Sequence, residues 1–437
     1  MTRDRCVDFL RAWAIVSVVA GHWLITALEH GSDGGITAPE LLADVPWTRW
    51  LTLLFQIMPL FFLAGGHAAG GSWDRARADG GTATGWVGRR AVRLLLPTAA
   101  YSAPVLLAVA VSAAVGVAPD TLALVGWAMA MQFWFLPVYL LVSALTPVLY
   151  AAHGRWGLAV PAALGALAVA VGTLALAADL PRVGLLNYLL VWAVAYQLGF
   201  CWRDGLLEGR RPPALALGGG AAFAALVALG PFPVSLILVT GEPVSNTDPP
   251  SVAMLAWVLT QCGLCLLAGP GLRRLLAHDR VQRLAGPVGG VSMTLYLWHM
   301  LPVLVVAAAL YLTGLAPEPA LGSPAWWALR VPWLLLLAVL MAAVTAVVRP
   351  VEAALVSRYE RARPDVGRYR PWLLWPGLAV SAVALSRFAA HGFAEHGRFP
   401  ALPTLGLAAG TALVLLHRRR TARPTKRQSW AALEEAA

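Results

Sequence analysis

The chain has 437 residues, of which 59% are hydrophobic and 13% charged. That balance excludes a soluble domain with a single anchor and points to a polytopic membrane protein. The net charge of +11 does not indicate nucleic acid, because the basic residues stand in short loops between apolar runs instead of in one patch.

Apolar runs long enough to cross a bilayer, about 17–25 residues, occur near 7–28, 50–70, 94–117, 131–152, 157–178, 184–202, 214–230, 252–270, 289–313, 326–348, 372–390 and 400–417. The first is read as a retained span, since no small-residue cleavage site follows its apolar stretch. Residues 121–132 are also apolar and are expected to form a short re-entrant or interfacial piece. The fold class expected is all-α, a polytopic transmembrane helix bundle of about ten core spans plus two C-terminal spans. With the N-terminus in the cytoplasm, only Arg49, Arg182, Arg330, Arg387 and Arg398 of the 33 basic residues fall on the far face. That asymmetry predicts both termini inside, and the first outer loop, with Asp33, Glu40 and Asp44, agrees. The tail 418–437 is basic and expected to be disordered. A single lysine, Lys426, among the basic residues reads as GC-rich bacterial codon bias, hence a bacterial cytoplasmic membrane.

Within the first span, Arg11 and His22 are eleven residues apart, almost three helical turns. They share a face to within about 20° and are separated by roughly 16 Å along the axis. In a soluble core such a histidine is usually bonded to a backbone carbonyl; in a span an ionisable group usually faces a bundle interior or a cavity. Phe61-Phe-Leu-Ala-Gly-Gly66 in the second span suits either close helix packing or a site. Arg90 and Arg93, three apart near the start of the third span, form a guanidinium pair suited to phosphate; arginines at a cytoplasmic helix end also serve topology alone. Trp134 begins the fourth span within an aromatic belt. Ser292, Tyr296 and His299 make a polar stripe along the ninth, either as interhelical bonds or as a cavity lining. Cys262 and Cys265 have C-x-x-C spacing in an apolar run with no second ligand pair, so packing is expected there and no metal.

Arg11-x10-His22, the Phe61–Gly66 segment, Arg90-x-x-Arg93-Leu-Leu-Leu-Pro97, Trp134-Phe-Leu136 and Ser292…Tyr296-Leu-Trp-His299, in that order, resemble the acyltransferase 3 family of integral membrane acyltransferases. The resemblance spans about residues 1–355, leaving 356–417 as a cytoplasmic loop with two additional helices. There are departures. Tyr139 stands where many relatives have an acidic residue after the fourth-span tryptophan, and Glu352 lacks the proline of the family's Glu-x-Pro ending.

The resemblance implies O-acyl transfer from acyl-CoA, as donor substrate and with no bound cofactor, to a hydroxyl of a sugar, glycan or glycosylated small molecule. It marks His22 as catalytic and links Arg90 and Arg93 to the donor. Arg11, or a backbone N–H near Gly65, is the expected oxyanion stabiliser. Tyr296, His299, Ser292 and Trp134 are expected to line the substrate site, with His299 the rival for the base. The alternative is a twelve-span proton-coupled transporter, although no related halves are visible.

Overall fold

The computed structural model describes residues 5–31, 35–362 and 367–418, with side chains except at 279–288. Asp33, the side chains of Arg280 and Arg283, and the expected tail beyond Arg418 therefore lie outside the described residues. Helices come in the order α1 (Arg5–Ile25), α2 (Met58–Ala78), α3 (Ala83–Ala114), α4 (Pro119–Ala130), α5 (Phe135–Ala144), α6 (Thr146–Trp156), α7 (Ala159–Ala177) and α8 (Asn187–Arg203). Then come α9 (Arg211–Leu229), α10 (Val252–Leu275), α11 (Asp279–Trp298), α12 (Met300–Val306), α13 (Pro324–Ala362), α14 (Pro371–His391) and α15 (Ala401–Leu416). A two-residue antiparallel ladder pairs Glu29 with Thr37 and His30 with Ile36 beyond the end of α1.

Among the described residues, ten helical units are long and apolar enough to cross a membrane, and the bent pair Gly289–Trp298 and Met300–Tyr311 makes an eleventh. α15 is a shorter apolar helix. These correspond to the twelve expected runs, and the chain is a multi-pass, all-α membrane bundle. One boundary differs. Residues 121–132 are not a separate piece: α4, a 3-10 turn at Met131–Trp134 and α5 form one unit, Pro119–Ala144. The chain breaks at Leu145 instead, because Pro147 in the first turn of α6 has no N–H to bond back to Ser143.

Which face of a helix turns inward follows from its side chains. On α13 the buried residues are Trp326, Arg330, Trp333, Leu337, Met341 and Glu352, one stripe at helical spacing. The opposite face shows Leu335, Val339 and Val347 to the surroundings, as a lipid-facing helix should. Local caps set two starts: Thr82 Oγ1 accepts from Gly85 N at 3.1 Å, and Ser251 Oγ from Met254 N at 3.1 Å.

Without a hydrophobic drive between helices in lipid, close packing has to hold them, and small residues allow it. α2 crosses α8 where Gly66 meets the backbone carbonyl of Tyr196 and Gly199 meets that of Leu63; a Cβ at either place would overlap the oxygen. Gly66→Ala should therefore cost about 1–3 kcal/mol through overpacking, read as a lower unfolding midpoint of the purified protein. Gly165→Ala on α7, where a methyl meets nothing within 4 Å, should leave the midpoint unchanged or slightly raised. Equal midpoints for the two variants would contradict so close a crossing.

Candidate active site

The α11–α12 span bends by 48° at His299. Pro302, three residues on, has no N–H for the carbonyl of Trp298, so the helical ladder is interrupted there. The interruption brings the His299 ring back onto its own chain, with Nδ1 2.9 Å from the carbonyl oxygen of Tyr296. A carbonyl only accepts, so Nδ1 of His299 carries a proton and donates it. In a neutral imidazole the other nitrogen is then an acceptor. That nitrogen, Nε2, lies 2.8 Å from Nδ1 of His22, which must donate. The remaining nitrogen of His22, Nε2, is left with a free lone pair. The hydrogen-bond network thus assigns both tautomers.

The two rings differ in access. His299 is completely buried, whereas His22 is partly exposed. His22 thus keeps an access that His299 lacks, although neither ring is among the residues that line the cavity near the start of α1. A further chain of bonds supports the pair: the indole of Trp23 donates to the carbonyl of His299 at 2.7 Å, and the indole of Trp333 donates to the carbonyl of Trp23 at 2.8 Å.

Toward the start of α1 lies a cavity of about 260 Å³ whose polar lining includes Arg11, Arg90, Arg93, Tyr139, Ser292 and Tyr296. No carboxylate lines it among the described residues. Arg90 has only neutral partners, Ser72 Oγ at 3.4 Å and Tyr139 OH at 3.5 Å, and lies 4.7 Å over the Trp86 ring. Nε of Arg11 is buried without a hydrogen-bond partner, and its guanidinium stands 5.9 Å from the Phe61 ring. Among the described residues, three guanidinium groups thus line one cavity without a carboxylate, an arrangement suited to an anion.

The polar stripe expected on the ninth span is fastened from both sides. The Tyr296 hydroxyl donates to the carbonyl of Gln132, while Nε2 of Gln132 donates to the carbonyl of Leu297 at 3.1 Å. From α13, buried Glu352 accepts from Thr294 Oγ1 at 2.6 Å and from the Trp298 indole at 3.3 Å. Ser292 lines the cavity and donates to the carbonyl of Gly289 at 3.2 Å.

Three expectations change. Trp134 is not among the cavity's lining residues; it packs 5.7 Å from the Trp192 ring, and Phe135 takes that wall. The backbone N–H near Gly65 is no oxyanion donor, because Gly65 is mid-helix in α2, where amides are committed to carbonyls four residues back. Arg90 and Arg93 are not at a helix N-terminus either. α3 begins at Ala83, two turns earlier, so they act through their side chains alone. Trp23, Gln132, Tyr139 and Trp333 belong to the site although spacing does not single them out for it. Gln132, an amide in an apolar run, was the available signal.

A membrane bundle with a histidine pair beside a cationic cavity defines an integral membrane protein built around one buried polar site. The sequence model of the acyltransferase domain, Acyl_transf_3, matches residues 4–348. The chain belongs to the acyltransferase 3 family and is a membrane acyltransferase, which disfavours the transporter alternative. No curated protein and no solved structure matches it.

Glu352 offers a test of how the site is held. Glu352→Leu leaves a buried hydroxyl and indole N–H without their acceptor and should cost about 1–3 kcal/mol, measured by thermal unfolding. Glu352→Gln, with an oxygen for Trp298 and an amide for Thr294, should stay near wild type. A Glu352→Leu protein as stable as wild type would mean that these bonds do not hold α11 to α13.

Proposed function

We propose that the protein transfers an acyl group, acetyl or another short chain, from acyl-CoA to a hydroxyl of a sugar, glycan or glycosylated small molecule. The observation that carries the reading is the free Nε2 of His22, held by His299 on the helix whose other end supplies Arg11 to the cationic cavity. We place it in a bacterial cytoplasmic membrane with both termini inside, a placement supported by the distribution of arginines. The arginine cavity then faces the compartment that holds acyl-CoA.

Arg90, Arg93 and Arg11 bind the anionic nucleotide end of the donor, and the pantetheine arm runs along the α1 face toward His22. Arg11 lies roughly 16 Å from His22 along the helix, which suits it to the donor's phosphates more than to the reacting carbonyl. At His22, Nε2 takes the proton of the acceptor hydroxyl as its oxygen attacks the thioester carbon. A C–O bond forms, the C–S bond breaks, and the proton on His22 passes to the departing thiolate, giving the ester and CoA. His299 accepts from Nδ1–H throughout and stabilises the transient imidazolium. A site closed to bulk water protects the thioester from hydrolysis.

Two outcomes are expected for purified protein in lipid with labelled acetyl-CoA. His22→Ala should lose transfer by about 10²–10⁴-fold while CoA still binds. His299→Gln, which retains an acceptor for Nδ1–H, should keep more activity than His299→Leu and should keep the wild-type fall in rate on the acid side, where the base becomes protonated. Loss of that acid limb in His299→Gln, with His22→Gln still active, would move the base to His299, at the bend between α11 and α12. On the donor side, Arg90→Ala or Arg93→Ala should weaken CoA binding by about 1.5–3 kcal/mol each. A double alanine variant that binds CoA as wild type does would contradict the donor assignment.

A further inference from the structure

A second cavity, of about 190 Å³, lies beyond the other end of α1, lined by residues that include Glu29, Tyr311, Glu318, Trp326, Arg330 and Trp333. The histidine pair stands between the two cavities. Ile15 of the first is seven residues before His22 on α1, about 10 Å of helix rise, and Leu28 of the second is six after it, just past the end of α1 at Ile25. On the partner segment, His299 separates Tyr296 of the first cavity from Val306 of the second in the same way.

The lining is unlike that of the arginine cavity. Arg330 is 7% exposed, stacked 4.0 Å over Trp326 and 5.1 Å from Trp333. It donates to the carbonyl of Thr26 at 2.8 Å, and its buried Nε has no hydrogen-bond partner. Two carboxylates share the wall, and Glu318 uses one oxygen to accept from His30 N at 3.2 Å. Indole faces beside carboxylates and a guanidinium with bonding capacity to spare suit a ring with apolar C–H faces and a rim of hydroxyls. A phosphorylated donor would meet two carboxylates here. Trp333 ties this wall to the base, since it bonds Trp23, which bonds the carbonyl of His299.

We infer that this second cavity binds a glycosyl ring of the acceptor and presents its hydroxyl to His22 from the side opposite the donor. The inference rests on the acyl-transfer reading for the role of that sugar, and its test uses no donor. Ala316, which lines the cavity, is changed to cysteine in the full-length protein, in right-side-out vesicles. A membrane-impermeant thiosulfonate is added outside, with methyl hexosides of several configurations as probes and the unsubstituted protein as background. Ala316→Cys should react from outside, and at least one methyl hexoside should slow the reaction saturably, about fivefold at four times its Kd. Trp326→Ala in the same protein should abolish that protection. Glu318→Gln, a change in an exposed loop, should weaken it if Trp326→Ala does not fold.

Labelling only from inside, or no methyl hexoside slowing it more than glycerol does, would overturn the sugar site. CoA binding, measured on the same protein after detergent has opened the vesicles, separates the two readings. CoA bound with no protection sinks the sugar site alone, whereas protection without CoA binding leaves that site standing and sinks the donor reading.

Discussion

The hydrogen bond between His22 and His299 is the constraint on which the rest of the site depends. It joins residues 277 positions apart in the chain, and it has a direction only because His299 is already committed to a backbone carbonyl through its other nitrogen. A carbonyl cannot donate, so the proton order runs one way, from His22 to His299 to Tyr296. A carboxylate partner would add a charge that the bilayer penalises. A second neutral imidazole orients the first at less cost, and its burial keeps it from substrate. At the pair, polarity is thus carried by two neutral rings and no charge, as an apolar surrounding favours.

Much of the bundle serves to keep that bond in place. The break at Pro302 turns His299 toward α1, the Gln132 bonds and Glu352 hold α11 from two sides, and Trp23 and Trp333 hold α12 to α1 and α13. The C-terminal pair α14 and α15 reaches the same place indirectly. Phe388 and Phe393 pack on Phe133, next to Gln132, and Phe393 N donates to the carbonyl of Gly126 at 3.0 Å. Those two helices lie beyond residues 4–348, the part matched by the family. In this chain they buttress the turn that holds Tyr296.

The crossing helices were readable from the sequence because hydropathy over about 20 residues reports directly on the length of a span. The shared face of Arg11 and His22 was readable for a similar reason, since one straight helix fixes the angle between them. What spacing could not supply was pairing between helices. Ser292, Tyr296 and His299 form a stripe on an ideal helix, but the bend takes His299 out of it to pair with His22, and leaves Tyr296 and Ser292 with the arginines. Trp134 misleads because a belt tryptophan and a cavity tryptophan look alike until the neighbouring helix is placed. The start of α3 lies about three turns before the expected residue 94 because Thr82 caps it among residues too polar to register as a span.

The direction of the relay is open to direct measurement by nitrogen-15 spectroscopy of histidine-labelled protein in lipid at neutral pH, with His22→Gln and His299→Gln used to assign the two rings. Both rings should be neutral, each with its proton on Nδ1 and a bare Nε2, and His22 should be coupled to His299 through Nδ1. A His22 ring with its proton on Nε2, or a His299 ring with its proton there, would reverse the relay and leave His22 without the lone pair that the proposed chemistry requires.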